Sequence, residues 1–95
     1  MTAFIVARYS VKNPEKMEAY AAAAGPTVEA HGGTFMAMGQ THAALVGEDN
    51  SEAVAMVSFA DVDAAKAWFN SAGYTACKPL REAAADMQFT LYQAE

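Results

Sequence analysis

The run from Ala3 to Val11 limits the fold more than any other stretch, because both of its alternating sets of side chains begin apolar. Phe4, Val6 and Arg8 share one face, and Ile5, Ala7 and Tyr9 share the other. A strand that is half-buried shows one apolar face; one that is apolar on both is covered from two sides. The chain must therefore supply a layer over one face of this strand and find something for the other.

Helical segments supply the first layer. Asn13-Pro14-Glu15 starts a helix: an N-cap side chain, proline in the first turn, then an acid near the positive end of the dipole. Met17, Tyr20, Ala21, Ala24 and Val28 follow at helical spacing. Gly25-Pro26 interrupts them, so the helix kinks there or ends and restarts. His31-Gly32-Gly33 stops it, glycine supplying the left-handed C-terminal conformation.

Thr34 to Gly39 and Ala43 to Gly47 read as short strands around Gln40-Thr41-His42, followed by a solvated loop from Glu48 to Glu52. Ala53 to Ala60 alternates as a strand. Asp61 caps a second helix with Ala65, Trp68, Phe69 and Ala72 on its buried stripe. After Gly73 a further short helix is expected from about Thr75 to Ala85, then a last strand from Met87 to Gln93.

Strand, helix, two short strands, strand, helix pair and strand, joined by right-handed crossovers, predict an α+β fold. It is a ferredoxin-like split βαβ sandwich with four main antiparallel strands, a short hairpin strand and helices on one face. Residues 1–95 make a single domain. The helix-free face then needs a cover, and a second protomer's sheet is the natural one. Composition argues the same way: 23 of the apolar residues are alanine, which favours helix but buries little, so the core is thin and gains from docking to a copy of itself.

The formal net charge is −5, and the six basic residues are scattered rather than striped. A nucleic-acid partner is not expected. No apolar run approaches the roughly 20 residues that span a bilayer, and Arg8 arrives too early for a signal-peptide core. Cys77 is the single cysteine, so no internal disulfide is possible and a cytoplasmic location is expected.

Several segments resemble the family called domain of unknown function 1330, of the dimeric α+β barrel superfamily. They are His31-Gly32-Gly33-Thr34-Phe35, the Ala-x-x-Trp-Phe-x-Ser-x-x-Tyr run from Ala65 to Tyr74, and Arg81 seven positions on. The resemblance spans nearly the whole chain. It implies a small, cytoplasmic, homodimeric protein with no assigned activity, in a superfamily that includes cofactor-independent monooxygenases, muconolactone-isomerase-like enzymes and haem-dependent members. Many relatives carry arginine where Met38-Gly39-Gln40 stands and glutamate where Val46-Gly47 stands. A hairpin at Thr41-His42-Ala43 would set Met38 against Val46, an apolar contact in place of an ion pair.

Arg81 is the leading candidate for ligand contact, since a guanidinium can hold a carboxylate or enolate by two hydrogen bonds. It could equally cap a helix or pair with Glu82 or Asp86. Tyr74 and Ser71, three apart across the helix break, could orient a ligand, or Ser71 could satisfy orphan backbone groups. His31 is the candidate catalytic base, with a cap at a helix C-terminus as its other reading; His42 falls in a turn. A zinc or haem site is not expected from two distant histidines and one cysteine. Cys77 reads as a packed thiol, and Trp68, Phe69 and Tyr20 as core.

Two functions remain open. One is a cofactor-independent enzyme acting on a small organic acid or carbonyl compound, with Arg81 holding the anion, Tyr74 orienting it and His31 moving a proton. The other is a non-catalytic homodimeric module that binds a small ligand or a protein, with Arg81 and Tyr74 engaged by protein groups.

Overall fold

A computed structural model describes residues 2–94. The strands are β1 (Ala3–Val11), β2 (Thr34–Gln40), β3 (Ala53–Phe59) and β4 (Ala85–Gln93). The helices are α1 (Pro14–Ala30), α2 (Val62–Phe69), α3 (Ala72–Thr75) and α4 (Lys78–Ala84). The four strands form one antiparallel sheet in the order β2-β3-β1-β4, with β1 hydrogen-bonded on both edges. This is the expected ferredoxin-like α+β fold, with the helices on one face.

Strand alternation sorts the sheet's side chains. Ile5, Val57 and Phe59, with Met87, Phe89 and Leu91 against them, join the core under the helices. Phe4, Val6, Val54, Met56 and Tyr92 belong to the opposite face, where the Phe4 and Tyr92 rings stack at 5.4 Å. The two-sided apolar strand of the sequence is therefore real, and one of its sides carries no helix.

Helix α1 begins as its sequence dictates, with the Asn13 side chain accepting from the Lys16 amide at 3.1 Å. It then runs unbroken through Pro26 to Ala30. At its end the Gly33 amide donates to the Val28 carbonyl and the Gly32 amide to the Glu29 carbonyl, the paired bonds of a Schellman cap. Gly32 holds φ at 74°. Gly33 is needed for a different reason: a Cβ there would lie 2.6 Å from Val28 Cγ1 and 2.7 Å from Phe59 Cε1.

Three expectations are corrected. No strand forms at 43–47. The Thr41 amide donates to the Glu52 carbonyl at 2.8 Å, so β2 runs directly alongside β3 and the residues between become its long connection. Met38 pairs with Ala55, not Val46, and Val46 stands 96% exposed, so the proposed Met38–Val46 contact is not made. The helix expected from about Thr75 to Ala85 is shorter, α4, and Ala72 and Gly73, expected to end α2 and to break it, lie in the separate turn α3, because the break falls at Asn70-Ser71. Ala85 has already passed into β4, which starts with no intervening loop.

Candidate functional site

Three helices bring three polar side chains together beneath the sheet. Tyr20, Ala24 and Val28, four apart, form the buried stripe of α1. Alanine at most of the surrounding positions lets this helix lie close to its neighbours, and Tyr20 is its one long buried side chain with a polar tip.

Helix α2 starts on Asp61, whose carboxylate accepts from the Ala64 amide at 2.7 Å, and buries Ala65 and Trp68. The chain then breaks at Ser71. Its hydroxyl donates to the Trp68 carbonyl at 2.7 Å and accepts from the Tyr74 amide at 3.2 Å. One side chain thus closes α2 and opens α3, and both of its bonds go to backbone. Ser71 fixes the position of Tyr74 rather than reaching into a cleft.

Tyr74 is fully buried, its ring 4.3 Å from that of Trp68 and 5.6 Å from that of Phe69. Seven residues on, Arg81 projects from α4 over the same cluster, its guanidinium carbon 5.4 Å from the Phe89 ring centre. Nη1 donates to the Tyr74 hydroxyl at 3.1 Å, and that hydroxyl lies 2.8 Å from the hydroxyl of Tyr20. Among the described residues the ion pairs are Arg8–Asp49 and Lys12–Asp86, so Arg81 faces no carboxylate. Its charge rests on aromatic faces and a phenol.

Beside this cluster, between α1 and the sheet, lies a cavity of about 280 Å³. Tyr20, Ala24 and Val28 of α1 wall it on the helix side, Ile5, Val57 and Phe89 on the sheet side, and Trp68 of α2 completes the lining. The lining is almost wholly apolar. The indole N–H of Trp68 is already taken by the Thr27 hydroxyl at 3.0 Å, and that hydroxyl donates onward to the Ala24 carbonyl. Burial pushes the Tyr20 phenol well above its ordinary pKa and keeps it protonated.

The structure joins Arg81 and Tyr74 and leaves His31 apart. His31 follows the last residue of α1, its Nδ1 3.0 Å from the Thr27 carbonyl, as the cap reading expects. At about 1.5 Å per residue it lies roughly 16 Å along the helix axis from Tyr20, and it does not line the cavity. Cys77 is buried with its thiol against the Gly73 carbonyl. Among the described residues no cluster of histidine, cysteine and acidic side chains could hold a metal ion, and no helix is long and apolar enough to cross a membrane. Tyr20 is the member that sequence reasoning missed. Its signal was a phenol on the buried stripe of an alanine-rich helix.

The profile of the family described as domain of unknown function (DUF1330) matches residues 2–94, and the chain belongs to that family. No curated protein matches it. Among solved structures it is similar to a protein of unknown function from Rhodopseudomonas palustris, at 19% identity and a TM-score of 0.84, over 99% of this chain and 82% of that one. It is also similar to SnoaB, a cofactor-independent oxygenase from Streptomyces nogalater, at 17% identity and 0.73, over 99% and 93%. A dimeric ferredoxin-like protein of unknown function from Thermobifida fusca aligns at 11% identity and 0.66, over 99% and 92%.

Proposed function

We propose that the chain is a homodimer whose protomers each bind a small, largely apolar molecule between α1 and the sheet. The observation that carries this reading is the cavity of about 280 Å³, walled by apolar side chains and by Tyr20, the residue that links it to Tyr74 and Arg81. An apolar cavity of about 150 Å³ already admits benzene, so a two-ring molecule fits the space here. Trp68, the single tryptophan, forms part of the wall and reports on binding. Titrating indane, an apolar bicycle, should change its fluorescence saturably, and Ala21→Phe on the exposed rim should weaken that binding at least tenfold. No saturable change, or one indifferent to Ala21→Phe, contradicts the proposal.

The dimer forms through the helix-free face. Phe4, Val6, Val54, Met56 and Tyr92 make it apolar, and Tyr92 is 41% exposed in the single chain. That chain exposes 6007 Å², above the roughly 5,200 Å² usual for a folded 10 kDa protein. The excess suits a subunit. The likeness to a dimeric ferredoxin-like protein supports the same reading. Sedimentation should report a dimer at micromolar concentration, and Val54→Glu with Met56→Glu should split it.

A second reading, a cofactor-independent enzyme on a small organic acid or carbonyl compound, uses the same cavity. Arg81 favours it: a cation with no acid partner among the described residues, linked through Tyr74 to a phenol on the wall, would steady negative charge developing on a ligand oxygen. On this reading Arg81 and Tyr74 act through Tyr20, and His31, capping the far end of α1, has no part.

A further inference from the structure

The hydrogen-bond chain has a direction, and the direction names a ligand chemistry. Arginine carries five N–H donors and no acceptor, so the Tyr74 oxygen accepts from Arg81. Two phenolic protons remain, those of Tyr74 and Tyr20, and a single contact of 2.8 Å between their oxygens. That contact uses one proton, and among the described residues neither phenol has another acceptor.

The position of the unused proton follows from burial. Were Tyr20 the donor, the Tyr74 proton would be stranded at a residue with no exposed surface and no place on the cavity wall. A buried donor without a partner is costly. Were Tyr74 the donor, the unused proton would sit on Tyr20, which does line the cavity. There a ligand can take it.

We infer that Arg81, Tyr74 and Tyr20 form a one-way relay that presents the Tyr20 O–H to the cavity, selecting a ligand with a carbonyl or enolate oxygen at that point. The inference rests on the cavity being a binding site. The rest of the wall is apolar, so this one bond orients the ligand: oxygen towards Tyr20, hydrocarbon against Ile5, Val57 and Trp68.

Calorimetric titration of the intact protein with 1-indanone and with indane tests it, because the two differ only by the carbonyl. The ratio of their affinities should fall about tenfold in Tyr20→Phe, with near-ultraviolet circular dichroism and thermal unfolding showing that the variant is folded. Tyr74→Phe sharpens the test. The relay predicts an unchanged or smaller ratio, whereas the reverse direction would free the Tyr20 proton and enlarge it. An unaltered ratio in Tyr20→Phe, or a larger one in Tyr74→Phe, overturns the relay and leaves the cavity reading standing. Failure of wild type to bind either compound overturns both.

Discussion

Replacing Gly33 by alanine puts a methyl group where there is no room for one. Its Cβ would lie 2.6 Å from Val28 Cγ1, and 2.7 and 2.9 Å from two atoms of the Phe59 ring. Neither neighbour is a loose side-chain end: Val28 and Phe59 are each 2% exposed, and Phe59 packs on Trp68 at 5.7 Å. Overpacking of this kind costs about 1–3 kcal/mol. Alanine recovers about 0.4–1 kcal/mol through the unfolded chain, so a net loss of about 2 kcal/mol is expected from the upper part of that range. In a domain of this size that lowers Tm by roughly 10 °C. Gly39 is the internal control. It lies within β2 with nothing within 4 Å of an added Cβ, so Gly39→Ala should stabilise by about 0.5–1 kcal/mol. Urea unfolding at constant m reads both, and Phe59→Leu should relieve at least 1 kcal/mol, about half, of the Gly33→Ala cost, since neighbours in contact couple by about 0.5–3 kcal/mol. A Gly33→Ala loss below about 0.5 kcal/mol, under the overpacking range, or the same sign for both glycines, would refute the packing argument.

Tyr20 should leave a mark on alkaline stability. A pKa raised on folding means that the unfolded chain releases this proton first, so its contribution is complete below the unfolded value and is lost as pH climbs above about 10. Wild type should lose up to about 1.4 kcal/mol per pH unit there relative to Tyr20→Phe, as read by urea midpoints from pH 9 to 11; parallel profiles would contradict it. Asp49 acts at the acid end, its carboxyl held below the usual range by bonds from Ser51 and, more weakly, by Arg8. Its contribution is present above the ordinary carboxylate range and lost as pH falls through the lowered value, so Asp49→Asn should flatten the acid limb of the stability curve slightly. Ser71→Ala removes both hydroxyl bonds at the α2–α3 break and should cost about 1–2 kcal/mol, measured by thermal unfolding. A neutral result would mean that the backbone there satisfies itself.

The strands that alternate cleanly and the helices with capping residues were legible because local chemistry decides them. Asn13, Asp61 and Gly32 each do at their helix ends what their side chains, or lack of one, require. The 43–47 strand was misread because apolar residues alone do not make a strand; the backbone bond from Thr41 to Glu52 is a long-range choice that the segment itself does not encode. The site was half legible. Arg81 and Tyr74 stood out by type and spacing, but Tyr20 lies 54 positions from Tyr74 and meets it only when α1 packs against α3 and α4. His31 drew attention as a titratable residue and fills the structural role at its helix end.

The central claim, that the space between α1 and the sheet is where a small molecule sits, is tested most directly by methyl NMR of the methionines. Met17, Met38 and Met87 line that cavity, whereas Met56 pairs with Val6 and shares its helix-free face. On titration with 1-indanone the first three methyl signals should move together to saturation with one Kd while Met56 stays in place. Stationary signals from Met17, Met38 and Met87, or a Met56 shift as large as theirs, would contradict it.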